Sequence, residues 1–221
     1  MPKPTFDKLN ETKRNTIIEA FLKEFSHHTY DDASITSVTK ELGIAKGSIY
    51  QYFEDKMDLF LFLLQECKQK KLNYVGSLKR EDFLTFWDFF RALFEHGLAF
   101  DQNHPYHSHF LHNLAQNVNS FSTREWFAEM EKQTLNAFVA MVQYEVDHHH
   151  FRNDVDLPTM GYILQNMGVA IQKQLQLMGT INPQESIQNG LPVYYKKEKE
   201  LMDMVNTYIR MIQPAFQNNP Q

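Results

Sequence analysis

Apolar residues recur at spacings of three and four along almost the whole chain, the period of an amphipathic helix. The stretch NETKRNTIIEAFLKEF sets Ile17, Ile18, Phe21, Leu22 and Phe25 on one stripe, and Asn10 before it is a predicted N-cap. A polar break, HHTYDDAS, leads into two shorter segments, SITSVTKEL and AKGSIYQYF, and then the longer EDKMDLFLFLLQECKQKK. Beyond residue 76 the spacing predicts long helices. EDFLTFWDFFRALFEHGLAF is densely aromatic, and STREWFAEMEKQTLNAFVAMVQYEVDHHH opens with Ser122 and Glu125 at capping-box spacing. DLPTMGYILQNMGVAIQKQLQLMG runs from an Asp156 cap, with Pro158 in its first turn, to a stop near Gly179. LPVYYKKEKELMDMVNTYIRMI follows Pro192 and is expected to end before Pro214. No alternating strand pattern, repeat or low-complexity tract interrupts this, and linkers are expected at 28–33, 101–105, 151–156 and 180–192. The reading is an all-α chain of about nine helices, with residues 1–55 as a domain of compact short helices and 56–221 as a domain of longer ones.

The two short segments have a specific relation. Ile35, Val38 and Leu42 fall on one face behind Ser34 at the N-cap position, and Gly43 supplies the positive φ of a tight turn. Ile44 plugs that turn, while Ile49 and Phe53 give the second helix an inward face. Two short helices joined by a glycine turn form the helix-turn-helix signature. The outward face follows by subtraction: Lys46, Gly47 and Ser48 in the first turn, Tyr50 and Tyr52 near the end, and Lys56 opening the next helix. Small residues let a helix approach the floor of the major groove, helix N-termini favour phosphate, and tyrosine hydroxyls and lysines are common phosphate ligands. The expected DNA-contacting set is Ser34, Thr36, Ser37, Lys46, Gly47, Ser48, Tyr50, Tyr52 and Lys56. The competing reading has the tyrosines simply packing a small domain.

These residues resemble the DNA-binding domain of the TetR family of bacterial transcription repressors. The family pattern is read here as Gly43, Ile44, Lys46, Gly47, Ser48, Ile49, Tyr50, Tyr52 and Phe53, followed by Lys56 and Leu59. The likeness covers about the first 60 residues. Ala45 stands where the family often has Ser or Thr, and Thr39 and Leu42 replace small alanines. The resemblance implies an N-terminal helix-turn-helix domain, a C-terminal effector-binding and dimerisation domain, double-stranded operator DNA as partner, and a homodimer formed through the last two helices. On those helices Met160, Leu164, Met167, Ile171, Leu175 and Met178, then Leu201, Val205, Tyr208 and Ile212, make helix-length stripes.

Composition narrows the rest. The 221 residues carry a net charge of −5, so a nucleic-acid site has to be local. A lone Cys67 excludes an internal disulfide and a CxxC metal site. No apolar run approaches the ~18 residues of a membrane span, and the N-terminal stretch has no signal-peptide core, so a cytoplasmic, non-membrane protein is expected. The histidines in DHHHF at 147–151 point ~100° apart on a helix and suit its C-terminal end better than a metal. HPYHSHFLH offers His104, His107, His109 and His112 without an accompanying acid or cysteine, and no metal or cofactor is expected. GxSxG, GxxxxGK[ST], HExxH and GxGxxG are all missing. An enzyme would have to be an unrecognised helical one. A ligand-binding protein that uses its helix-turn-helix for protein contacts is the other alternative. Retardation of a palindromic DNA, set against turnover of a substrate, separates the classes.

The 18 Phe and 10 Met residues fill a core or leave a cavity for an apolar ligand. Family resemblance favours a small-molecule sensor, and Phe90, Phe94, Phe110, Met130, Phe138 and Met141 are the expected ligand contacts. Few charges interrupt these stripes, so an uncharged or partly cationic, mostly apolar effector is expected.

Overall fold

The computed structural model describes residues 2–116 and 124–218. Within them the helices are α1 (Pro4–Asp7), α2 (Glu11–His27), α3 (Ile35–Glu41), α4 (Lys46–Tyr52), α5 (Lys56–Val75), α6 (Phe86–Asn103), α7 (Pro105–Gln116), α8 (Arg124–Asp147), α9 (Leu157–Leu177), α10 (Pro183–Gln188) and α11 (Glu198–Phe216). The all-α class expected from the spacing is what the chain adopts, and no strand occurs among the described residues beyond an isolated bridge between Phe151 and Gln217. The helices outnumber the expected nine because α1 and α10 are too short for a period to register. Asn10, Ser34 and Asp156 are N-caps as expected, accepting from the amides of Lys13, Ser37 and Thr159 at 2.8, 3.2 and 2.9 Å. Gly43 and Gly179 take φ of 65° and 69°. The expected cap at Ser122 lies outside the described residues.

Several boundaries differ. Thr85 caps α6, accepting from Asp88 N at 3.1 Å, so Phe83 precedes the helix, and α6 continues through residues 101–103 of an expected linker. Another expected linker, 180–192, contains α10, capped by Asn182. The last helix begins only at Glu198 and runs through Pro214 instead of stopping before it. A proline this close to the end disrupts little remaining helix. Phe216 secures the final turn: it is buried between Trp87 and Phe151, with ring centroids 5.5 and 5.1 Å away, and its carbonyl accepts from Arg152 N at 3.0 Å.

The side chains pack into two cores. One joins α1–α4 to the inward stripe of α5 (Leu59, Phe60, Leu63, Leu64, Cys67) and to Phe110, Leu114 and Phe127. Residues 1–55 therefore do not close their core alone. The second core gathers Phe86, Trp87, Phe90 and Val142 with the inner faces of α9 and α11. Met160, Leu164, Met167, Ile171, Leu175, Leu201 and Val205 all lie inside this second core. The stripes assigned to a dimer seam are thus mainly packing within the chain. The outward apolar side chains on and just after α9 are Tyr162, Ile163, Val169, Leu177 and Met178, of which Met178 alone belonged to the expected stripe.

The α8–α9 crossing is close. A Cβ on Gly161 would meet Val139 Cγ2 at 2.8 Å, its N at 3.0 Å and its Cα at 3.2 Å. Backbone cannot yield as a side chain does, so Gly161→Ala should destabilise the fold. Overpacking of ~1–3 kcal/mol outweighs a helix-propensity gain of up to ~1 kcal/mol. Urea unfolding with an unchanged or raised midpoint would contradict this. α4 poses the opposite case. Ala45 is its N-cap residue, with the extended backbone of a cap (φ −68°, ψ 138°) and no side-chain acceptor. Ala45→Ser should stabilise the DNA-free protein by about 1 kcal/mol, read as a higher urea midpoint at an unaltered slope.

Candidate functional site

α3, the Gly43 turn and α4 form a helix-turn-helix. The turn is tied by Ile44 N donating to Thr39 O at 3.0 Å and Gly43 N to Lys40 O at 3.2 Å. α4 buries Ile49 and its end residue Phe53, and turns Lys46, Gly47 and Tyr50 outward. Lys46 makes no hydrogen bond or ion pair among the described residues. Thr36 and Ser37 are exposed beside it, while Ser48 and Ser34 are half-buried, with the Ser34 hydroxyl engaged as the α3 cap. Tyr52 departs from the expected outward set: it is 8 % exposed and packs on Phe6, ring centroids 5.7 Å apart. Its polar tip made it readable either way from sequence. Its neighbour in space, rather than its helical position, turned it inward.

That neighbour belongs to α1, which sequence reasoning left unassigned. α1 braces the C-terminal end of α4. Lys3 N donates to Tyr52 O at 2.7 Å, Lys3 Nζ to Tyr50 O at 3.0 Å, and Thr5 Oγ1 to Gln51 O. These are among the carbonyls that a helix end otherwise leaves unpaired. Phe6, 1 % exposed, anchors the brace against Phe53 and Phe62 at 4.9 and 5.4 Å. Lys56, beyond the turn, donates to Asp31 O at 3.3 Å and lies 4.8 Å above the Tyr30 ring. Partial burial pulls its ammonium below the usual lysine range, against Asp31, Asp32 and Glu24.

The last turns of α5 with α6, α7, α8 and α9 border a cavity of about 450 Å³. Phe90, Phe94 and Phe138 line it, three of the six expected ligand contacts. Met141 borders a separate space of about 270 Å³ beside Arg80 and Glu145. Phe110 and Met130 belong to the other core, where Phe110 packs on Phe25 and Phe60 at 6.3 and 5.4 Å. Sequence reasoning missed the polar part of the wall: Lys71, Asp101, Ser108, His112, Gln165 and Gln172. Asp101 is 2 % exposed, and its carboxylate accepts from the amides of Val193 and Tyr194, both at 3.0 Å. Burial pushes its pKa up, opposed by bonds from Ser108 and those two amides. His112 receives the Gln172 amide at Nδ1 and has Gln176 Nε2 at 3.4 Å from its other nitrogen. Burial lowers its pKa to about 4, so it stays neutral near pH 7. The one available signal was Lys71, which continues the α5 stripe Phe60–Leu64–Cys67 where an apolar residue belongs.

Two histidines of the 147–151 segment have structural partners. His150 and Arg80 hold the buried Glu145 carboxylate, and His148 stacks on Tyr144 at 4.1 Å. No cluster of metal-binding side chains occurs, and no helix is long and apolar enough to cross a membrane, among the described residues.

Residues 17–63 match the family model for bacterial regulatory proteins of the tetR family. The HTH-type transcriptional regulator HbdR of Aromatoleum sp. is 39 % identical over 61 residues, 28 % of this chain and 27 % of that one. The HTH-type transcriptional repressor AcnR of Corynebacterium diphtheriae is 33 % identical over 65 residues, 29 % and 34 % of the two chains. The chain thus spans about a third or less of these curated relatives. Solved structures extend the likeness in fold to the whole chain. A TetR family transcriptional regulator from Chloroflexus aurantiacus superposes with a TM-score of 0.76 over 99 % of this chain and 100 % of its own, at 24 % identity. One from Cytophaga hutchinsonii does so at 0.60 over 95 % and 97 %, at 15 % identity. Residues 17–63 thus carry a helix-turn-helix of the tetR type, and the chain as a whole shares the fold of solved TetR family regulators.

Proposed function

We propose that the protein is a repressor that binds a palindromic operator as a homodimer and leaves it when a small molecule fills the inner cavity. In this reading residues 1–55 recognise DNA, and residues 56–221 bind ligand and dimerise. The observation that carries it is the outward face of α4. Lys46, Gly47 and Tyr50 stand free there on a helix whose other side is buried and whose far end is braced by α1. Thr36, Ser37 and Ser48 flank that face, Ser34 and Tyr52 support it from within, and Lys56 sits where phosphate contact would replace its hold on Asp31 O. AcnR, one of the similar proteins, is named a repressor.

Release follows from the run of α5. Phe62 and Leu63 pack on the DNA-binding core, while Lys71 and Val75, about two to three and a half turns farther, border the cavity with Phe90 and Phe94. A ligand that displaces the last turns of α5 tilts the helix as a unit and changes the spacing of the two recognition helices. Such coupling is reciprocal, so operator DNA weakens ligand binding by the same factor.

Selection from randomised DNA should return a palindrome with half-sites about one helical turn apart, ~34–36 Å, or slightly more. Lys46→Ala should relax the preference at one base position per half-site by ~1–3 kcal/mol. The same motif recovered from wild type and variant would remove Lys46 from base reading.

The dimer seam is placed on the apolar side chains that α9 leaves outward. Tyr162, Val169 and Leu177 recur seven and eight residues apart, Leu177 is 78 % exposed, and Met211 on α11 is 73 % exposed. An exposed stripe of this kind marks an interaction surface. Introducing Val169→Asp and Leu177→Asp together should yield a folded monomer that no longer retards operator DNA. Light scattering that still finds an intact dimer would move the seam elsewhere.

A further inference from the structure

We infer that the effector is an anion: a small molecule with an apolar body and one carboxylate, its charge met by Lys71. The inference rests on the reading of the inner cavity as the ligand site and adds the chemistry of its occupant.

Lys71 continues the spacing of an inward stripe. It follows Phe60, Leu64 and Cys67 by eleven, seven and four residues, on the face that α5 turns inward, and those three side chains are buried. Its own side chain is exposed, and it borders the cavity. Among the described residues it makes no hydrogen bond or ion pair. Asp101 is the acid whose field reaches it. That carboxylate is already committed, Oδ1 to Val193 N and Oδ2 to Tyr194 N, both at 3.0 Å, with Ser108 as a further partner. Asp101 thus anchors the segment before α11 rather than sequestering the lysine. His112, the other titratable group of this part of the wall, is held neutral by burial and adds no positive charge.

A cation without a partner on a largely apolar wall favours an opposite charge placed against it. The effector expected from sequence was uncharged or partly cationic. A cationic head would set like charges side by side, and an uncharged ligand would bury the ammonium without compensation. Phe90, Phe94, Phe138 and Leu164 supply the surface for an apolar body. Gln165 adds a second demand. Its Oε1 is buried without a hydrogen-bond partner and borders the same space, so a hydroxyl or N–H on the body would satisfy it.

The test uses matched acid and alcohol pairs: decanoate with decanol, dodecanoate with dodecanol, and 4-phenylbutyrate with 4-phenylbutanol. Each is titrated calorimetrically into the full-length protein. At least one acid should bind about tenfold or more tighter than its alcohol. Lys71→Met should abolish that preference while the alcohol binds as well or better, and Lys71→Arg should keep it. Thermal unfolding of each variant establishes that it is folded, and the wild-type pairs decide the question should one fail. Alcohols binding as tightly as their acids, or a folded Lys71→Met that still prefers the acid, overturns the anion assignment and leaves the cavity as a ligand site. No binding by any member of the panel overturns both.

Discussion

The rest of the molecule depends on the stiffness of α5. Its 20 residues form one uninterrupted helix, so Lys56 and Lys71 are held about 22 Å apart at 1.5 Å per residue. Between them Leu59, Phe60, Leu63, Leu64 and Cys67 are each 2 % exposed or less. A close-packed row of this kind leaves no void into which the helix can bend, and packed interiors transmit displacement instead of absorbing it. The first half of α5 completes the core that positions the recognition helix, and its last turns wall the cavity. One rod therefore belongs to both the helix-turn-helix core and the cavity wall. Cys67 is part of this rod: burial pushes its thiol well above the usual range, so it acts as a small apolar side chain rather than a nucleophile.

α4 is the converse. Seven residues are too few to be helical alone, and Ala45 gives it no side-chain cap. Its conformation is imposed from outside. The Gly43 turn fixes its entry, Ile49 and Phe53 are drawn into the core, and α1 takes up the carbonyls of its last turn. The face left over is the one that reads outward. Lysines on this domain are offset by Asp31, Asp32, Glu41, Glu54 and Asp55, so in the proposed reading affinity for DNA rests on the position of a few contacts rather than on bulk charge.

How much of this was legible follows from the range of the interactions involved. Asn10, Ser34, Gly43, Asp156 and Gly179 act on backbone within a few residues of themselves, and each does what its local pattern indicated. Helical periodicity likewise identified which face turns inward. It carries no information about which of two cores that face enters, and Phe110 and Met130 were misassigned for that reason: α7 lies across α2 and delivers Phe110 to Phe25 and Phe60. Tyr52 and Pro214 were decided by partners distant in sequence, Phe6 in one case and the Phe216 clasp in the other. The brace at α1 was invisible because four residues display no period. The polar wall escaped because a lysine in an apolar stripe reads as the stripe's end.

The treatment of charge elsewhere in the chain gives Lys71 its weight. Glu145 is fully buried, and it is fully satisfied. Arg80 approaches it through Nε at 2.5 Å and Nη2 at 3.0 Å, and His150 Nδ1 lies at 2.9 Å. Asp101 is almost as buried and has two backbone amides of its own. A half-satisfied buried network is costlier than an apolar one, and this sequence supplies partners to both carboxylates from 65 and 92 residues away along the chain. Lys71 receives no such partner among the described residues. An apolar side chain at its place would continue the row from Phe60 to Cys67 without that cost. Asp101 borders the same cavity and Glu145 a smaller space, so what distinguishes Lys71 is that it borders its cavity with no such partner. An ammonium at the border of a cavity, with no partner among the described residues, is a charge whose compensation can come from outside the chain, and it stands on the same rigid helix that reaches Lys56 beside the helix-turn-helix.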